Sequence, residues 1–469
     1  MRSIATIAVL LGLTLGSAQA HSDLFIITSD FSTGSTSLLK GGVEKAELNL
    51  LGVHSDAVGH YHDGRIYIVN RFGQDNILVL DESDLRTPLT QFSVGNGTNP
   101  HDIEIVAADK AYVTLYERSE LLIVDPRDGA ERGRIDLSAF SDADGLPEVS
   151  QIVRAGQRLY LSCQRLDRNN GWGPVDQSFL IVVDIASDSL IDADPNEDGV
   201  QGILLSASNP NALAVIGDRI AVSTVASFGD RNGGIGLIDT ATNRSLGIAV
   251  GEEALGGDIN SMVMVDSERG FAVISDENFA NHVLPFNLRS GEVGAALEGL
   301  SGGFIPSIAV DGNRLIVADQ GSFSDPTSAG LKIFDASNGQ LLQGPIATGL
   351  PPVSIVVLGD SDLPTIPTAV REEAALPQDS ALGRAYPNPF NASVAIPFSM
   401  DGHTSVQLVI YDALGRTVRS LDTGFFQAGN NTAIWDGRDN AGRVVGNGAY
   451  IVRLQTGTAL ETAKILLLK

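Results

Sequence analysis

Lys110-Ala-Tyr-Val-Thr114 and Leu121-Leu-Ile-Val-Asp125 are two short alternating runs separated by a polar loop. That spacing predicts two antiparallel strands rather than a helix. The pair returns as Arg65–Asn70 with 77–81, Arg158–Cys163 with 180–184, Arg219–Thr224 with 236–239, 270–275 with 283–287, and Arg314–Asp319 with 331–335. A weaker seventh copy stands at Asp23-Leu-Phe-Ile-Ile-Thr28. Each second run ends on Asp or Asn, at 81, 125, 184, 239, 287 and 335, a spacing of about 44 to 59 residues. Asp125-Pro-Arg-Asp-Gly129 and Asp335-Ala-Ser-Asn-Gly339 show why: Asp bonds the backbone of the turn it opens, and Gly closes it.

A further apolar run precedes each pair, at 103–106, 150–153, 212–215, 261–265 and 307–310, giving units of four short strands. The last such run, 353–358, has no pair after it, and the first pair, at 23–28, has no run before it. Joining the two closes a ring and leaves no open sheet edge. The expectation is an all-β chain with a seven-bladed β-propeller over 21–358.

The N-terminus carries Arg2, an apolar run from Ile4 to Leu15, and Ala18-Gln19-Ala20, the order of a secretory signal peptide over 1–20, so that His21 would begin the mature chain. No later stretch reads as a transmembrane span. The expected location is outside the cytoplasm: extracellular, on the cell surface or periplasmic. The single cysteine, Cys163, permits no internal disulfide, so stability must come from core burial and strand pairing. The formal net charge is −26, and the negative charge is concentrated before residue 376, since 376–469 hold 8 Lys and Arg against 7 Asp and Glu. A surface this acidic repels phosphate backbones and argues against nucleic-acid binding.

Residues 359–380 are Pro-rich and acidic and read as a linker. Residues 381–469 read as a separate antiparallel sandwich, with Tyr411, Trp435 and Tyr450 as expected core aromatics. Its markers are Tyr386-Pro-Asn-Pro-Phe-Asn391, Val406-Gln-Leu-Val-Ile-Tyr411 before Asp412-Ala-Leu-Gly-Arg416, Trp435-Asp-Gly-Arg-Asp439, and Gly448-Ala-Tyr-Ile-Val-Arg-Leu454.

Two resemblances follow from these residues. Tyr112-Val-Thr114 and Leu121–Asp125 resemble the YVTN and LVIVD repeats of exported bacterial seven-bladed propellers. The markers of 384–469 resemble the immunoglobulin-like domain of the flagellar hook-capping protein and the sorting domains of type IX secretion cargo. The first implies the seven-bladed architecture, in a family that spans surface-layer proteins and some quinoprotein subunits. The second implies a domain for secretion or attachment, with secretion or envelope machinery as its partner.

Three long loops, 165–178 with Trp172, 225–234 and 320–330, are expected on one face of the propeller. Asp56, His101, Asp102, Glu148, Asn211, Asp258 and Asn260 stand at the starts of the inner strands, where they would ring the channel mouth. With Trp172 they form the expected ligand site. Their oxygens suit calcium, as do those of Asp192, Asp194, Asn196 and Asp198, although that segment lacks the Gly and the final acidic residue of a calcium loop. His54, His60, His62 and His101 are the histidine group from which a zinc or copper site would be drawn. No nucleophile elbow, His-Glu-x-x-His, Cys-x-x-Cys or phosphate loop is present. The leading expectation is thus a non-enzymatic binding protein for a protein, glycan or small molecule, requiring no cofactor. A lactonase-like or quinoprotein-type propeller enzyme with channel calcium is the alternative, and a surface-layer component is the third reading.

Overall fold

The structure, a computed structural model, describes residues 21–168, 172–175, 177–322 and 325–359. In the C-terminal part it describes 381–382, 385, 394–400, 404–412, 416–426, 429–446, 448–456 and 459–467. The expected leader at 1–20, the expected linker beyond 359 and the Tyr386–Asn391 marker lie outside the described residues. The chain divides into two units, Met1–Ala369 and Val370–Lys469.

The first unit is the seven-bladed propeller. From the channel outward, blade 2 is Ala57–His62, Arg65–Asn70, Asn76–Asp81 and Thr90–Ser93; blade 3 is Pro100–Ala107, Lys110–Leu115, Glu120–Val124 and Glu131–Asp136. Blade 4 begins with Val149–Ala155, Arg158–Cys163 and Phe179–Asp184, and blade 5 with Pro210–Ile216, Arg219–Thr224 and Gly234–Asp239. Blade 7 is Ser307–Asp311, Arg314–Asp319, Gly330–Asp335 and Leu341–Ile346. Blade 1 closes the ring: Pro352–Val357 is its inner strand and pairs antiparallel with Leu24–Ser29, Leu24 opposite Val357 and Thr28 opposite Pro352. Each inner strand lies against that of the next blade all the way round.

Blade 6 departs from the four-strand expectation, holding Asp258–Met264, Arg269–Ser275 and Asn281–Asn287 alone. The following segment is Gly-rich and poor in strand formers, and it follows the third strand through an isolated bridge of Phe286 with Val293 and single bonds such as Gly294 N to Pro285 O (2.8 Å) and Leu297 N to Val283 O (2.9 Å).

The repeat residues have identifiable duties. Asp81, Asp125, Asp184, Asp239, Asn287 and Asp335 each accept, through Oδ1, an amide two or three residues ahead, at 2.7 to 3.1 Å. The hydroxyls of Ser83, Ser187 and Ser337, followed by these amides, hold the Asp81, Asp184 and Asp335 carboxyls below their usual range. Gly129 and Gly339, at φ +77° and +73°, turn the chain back and donate to Asp125 O and Asp335 O at 2.8 Å. The second-strand tyrosines tie neighbouring blades: Tyr112 Oη donates to Asp188, and Tyr160 Oη donates to Asn243 Oδ1 at 3.1 Å. Between blades the core is apolar, as where Val69, Ile77 and Val79 meet Ile103, Ile105 and Val113. Cys163 is fully buried, and burial pushes its thiol pKa up.

The second unit is a sandwich. One sheet joins Ala381–Leu382, Val394–Met400 and Gly429–Trp435; the other orders Thr417–Phe426, Thr404–Asp412, Gly448–Thr456 and Ala459–Leu467. Trp435 and Tyr450 meet edge-on in its core at 4.9 Å, with Trp435 Nε1 donating to Arg438 O and Tyr450 Oη to Gly446 O. Tyr411 is a correction. Strand alternation turns Leu408 and Ile410 into this core and Tyr411 to the other face, half-buried beneath the Arg453 guanidinium at 4.8 Å. No helix among the described residues is long and apolar enough to cross a membrane.

Candidate functional site

Strand register fixes which residues share a face. Ala57 pairs with Asn70, Pro100 with Leu115, Pro210 with Thr224 and Asp258 with Ser275, so inner strands begin where second strands end. The loops between second and third strands therefore surround the inner-strand starts, and the long loops expected to share a face do so.

At the channel mouth, His101, Asp102 and Asn211 line one cavity of ≈ 260 Å³ together with Val58, His60, Arg71, Ser150, Gln151 and Gln164. Asp102 Oδ2 accepts the Ile152 amide of blade 4 at 3.1 Å. Its Oδ1 lies 3.1 Å from His60 Nε2 of blade 2, but off the hydrogen-bonding direction of the ring, which leaves Nε2 without a hydrogen bond. Burial raises the Asp102 pKa against the pull of His60. One turn of the pleat further in, burial and then Asp102 push Glu104 up to about 8. His101 stacks on Tyr116 at 4.1 Å, and burial, then Arg71, lowers it to about 3, so it is neutral at physiological pH.

The same inner-strand position recurs around the ring as a clamp between blades. Gly59 N donates to Ser354 Oγ (3.3 Å), Leu213 N to Gln151 Oε1 (3.1 Å), Asn211 Nδ2 to Ile259 O (2.6 Å) and Ile355 N to Ser307 Oγ (3.3 Å).

Of the remaining expected residues, Asp56 pairs with Arg71, whose Nε lies 2.9 Å from Oδ1. Glu148 belongs to a set of corner residues. Asn99, Glu148 and Asn209, at φ +46°, +44° and +56°, each precede an inner strand and accept the first loop amide after the second strand. The Glu148 carboxylate is buried, and burial pushes it up to about 7 against Arg168, whose Nε is 2.8 Å away. Arg168 also meets Glu117 at 2.5 Å and stacks over Trp172 at 4.9 Å, bringing Trp172 and Glu148 into one network. Asp258 and Asn260 stand apart on blade 6: Asp258 accepts Gly229 N at 2.9 Å, and Asn260 Nδ2 donates to Ser275 Oγ at 2.7 Å.

The acidic segment lies between Ser189–Ile191 and Ile203–Leu204. Asp192 Oδ1 accepts Asp194 N (3.1 Å) and Gln201 N (3.0 Å), Asp194 Oδ1 accepts Asn196 N (3.3 Å), and Asp198 contributes its carbonyl to Gln201. Among the described residues no three His, Cys, Asp or Glu side chains are grouped to hold a metal ion.

A feature that the sequence reading met only at Trp172 stands on the loop face. Phe31, Phe72, Trp172, Phe228, Phe279 and Phe304 are exposed by 72, 72, 47, 68, 87 and 49 %. The first five occupy second-to-third-strand loops of blades 1, 2, 4, 5 and 6, and Phe304 lies just before the inner strand of blade 7. Large exposed hydrophobics elsewhere on the described propeller, such as Leu89, Leu246 and Leu342, are aliphatic. Tyr116 fills the blade 3 place and turns inward onto His101; Phe323, in the blade 7 loop, lies outside the described residues. The signal available in the sequence was an aromatic residue in every one of these loops.

Residues 391–459 match the family of the FlgD Ig-like domain. No curated protein matches the chain. Among solved structures, the chain is similar to PorZ, an essential bacterial surface component of the type-IX secretion system of Porphyromonas gingivalis, at 14 % identity and TM-score 0.45, over 93 % of this chain and 63 % of that protein's length. It is also similar to a Bacteroides fragilis protein described as a putative 6-phosphogluconolactonase, at 14 % identity and TM-score 0.49, over 72 % and 98 % of the two chains. A third is Kuenenia stuttgartiensis hydrazine synthase, at 16 % identity and TM-score 0.48, over 65 % and 91 %.

Proposed function

We propose that the chain is an exported binding protein whose propeller presents its loop face to a partner and whose terminal immunoglobulin-like domain serves secretion or cell-surface attachment. The observation that carries the reading is the rim of six exposed aromatics on one face. Exposed apolar groups gathered on a rigid scaffold mark interaction sites, because burying them against a partner recovers the free energy that solvent exposure costs. The leader at 1–20, the YVTN-like repeats and the sorting-type markers of 381–469 support the location outside the cytoplasm. The test is site-specific photocrosslinking in the producing cell, with the crosslinker at Phe72 or Phe279 and, as controls, at Leu89 or Leu342. Adducts confined to the first pair are expected, and equal labelling at all four positions would defeat the platform reading.

The alternative, a propeller enzyme, draws on the channel-mouth cavity, where His60 Nε2 faces Asp102 without a hydrogen bond. A stoichiometric metal ion or cofactor in the purified protein would favour it.

A further inference from the structure

Resting on the platform reading, we infer that the loop face takes an extended polypeptide segment rich in arginine or lysine. Charge points to that chemistry. The loops that carry the aromatic rim also carry the exposed carboxylates Asp30, Asp230 and Glu277, and the exposed Glu253 stands on the connection from blade 5 to blade 6 at the same face. Two of the face's arginines are already engaged, Arg71 with Asp56 and Arg168 with Glu117 and Glu148. Arg165, half-buried, lies over the Phe179 ring, and Arg118 and Arg231 are left as the exposed cations among the face's described residues, within a chain of net charge −26. Carboxylates set between aromatic faces form a surface on which a guanidinium or ammonium group gains both an ion pair and a ring contact. The loop face already makes this contact where Arg168 lies over Trp172 at 4.9 Å between carboxylates.

Other occupants fit less well. A second copy would set two acidic faces against each other, and anionic lipid or nucleic acid would be repelled. Five of the six rings are phenylalanine, which offers no polar atom to a sugar hydroxyl, whereas tyrosine or tryptophan would. The aromatics come from six separate loops spread around a ring, which suits a segment lying across the face rather than a small molecule held at one point.

The experiment uses the chain from His21 to Lys469 and fluorescein-labelled peptides of alternating charged residue, serine and glycine, with arginine, glutamate or glutamine as the variable residue. Polarisation should show binding of the arginine peptide alone. That binding should weaken about tenfold between 50 and 500 mM salt, as screened charge pairs require. The triple variant Phe72→Ser, Phe228→Ser, Phe279→Ser should weaken it a further tenfold or so at an unchanged melting temperature. Equal binding of the glutamine or glutamate peptide, indifference to salt or to the triple variant, or no binding of the arginine peptide would overturn the inference. So would capture of the wild-type chain, but not of the triple variant, by phosphatidylcholine vesicles, which would make the rim a lipid-inserting surface. Crosslinks from Phe72 and Phe279 in the cell without arginine-peptide binding would leave the platform standing and remove only its charge assignment. Loss of both would remove the platform as well.

Discussion

The ring of inner strands and the rim of loops share one end of the propeller, yet they hold their conspicuous side chains in opposite ways. On the ring, Asp102, Gln151, Asn211, Ser307 and Ser354 reach a backbone group of the next blade. On the rim, the phenyl rings of Phe31, Phe72, Phe228 and Phe279 remain more than two thirds exposed. A polar group facing a channel cannot stay unbonded without cost, so the fold itself supplies partners for it. An exposed phenyl ring meets no comparable demand from the fold. The contrast separates what the propeller needs in order to close from what it displays once closed, and each substitution below tests one side of it.

The largest effect should come from Arg168→Ala, which leaves the buried Glu148 carboxylate without its cation. At pH 8 we expect a loss of about 3 kcal/mol. The pH dependence has a definite sign. Glu148 titrates at about 7 in the folded state, above the 4.5 of a free glutamate. The folded state therefore holds the extra proton between those values, and the contribution of this group to stability falls as pH rises through that window. Removing Arg168 raises the folded pKa further, so the variant's deficit should be small at pH 5 and full at pH 8, measured by denaturant unfolding. A deficit of equal size at both values would show that packing against Trp172, not charge, is what Arg168 supplies.

Asp102→Ala comes next, because it strands the Ile152 amide at the seam of blades 3 and 4. A cost of about 2 kcal/mol is expected, with Asp102→Asn losing less since it retains an acceptor. If both variants melted like the wild type, the clamp would have no energetic weight. A smaller effect of opposite sign is expected from Glu104→Gln. With a folded pKa of about 8, the folded state keeps this carboxyl protonated while the unfolded chain ionises above 4.5, so the wild type loses stability as pH rises between those values. The amide removes that cost, so the variant should melt about 3 °C higher at pH 8.5 and coincide with the wild type at pH 5.

The blade count and the ring closure were legible because period-two alternation and turn residues act locally, and the orphan run at 353–358 stood beside an incomplete first unit. The second-strand Asp positions were legible for the same reason, each bonding an amide two or three residues away. The duties of Asp102 and Asn211 were not, since their partners Ile152 and Ile259 lie 50 and 48 residues on, and only the closed ring brings them together. Glu148 could be placed at an inner-strand start, but its membership of the corner set with Asn99 and Asn209 depends on backbone torsion. The missing outer strand of blade 6 was hidden because its third strand and closing Asn287 follow the pattern of the other blades. The aromatic rim escaped because phenylalanine in a β-protein is expected to be core, and the loops that carry it differ too much in length to align by eye.

The smallest effect should come from the rim, and it should favour stability. Phe279 is 87 % exposed and sits at φ +59°, a left-handed conformation in which a β-carbon crowds the following carbonyl. Phe31 and Trp172 share the feature at +66° and +62°. Folding alone gives no reason to place an aromatic there, since asparagine adopts this torsion more readily by bonding its own backbone. Phe279→Asn keeps the β-carbon but offsets its crowding with a local hydrogen bond to the backbone and loses almost no buried area, so stability should rise by about 0.5 kcal/mol, read as a small upward shift in melting temperature. Crosslinking or peptide binding at the loop face should weaken in the same variant. Opposite movement of stability and binding is what distinguishes a residue kept for a partner from one kept for the fold. If Phe279→Asn lowered stability by 1 kcal/mol or more, the ring would have a structural role, and Phe279 would belong with the inner-strand clamps.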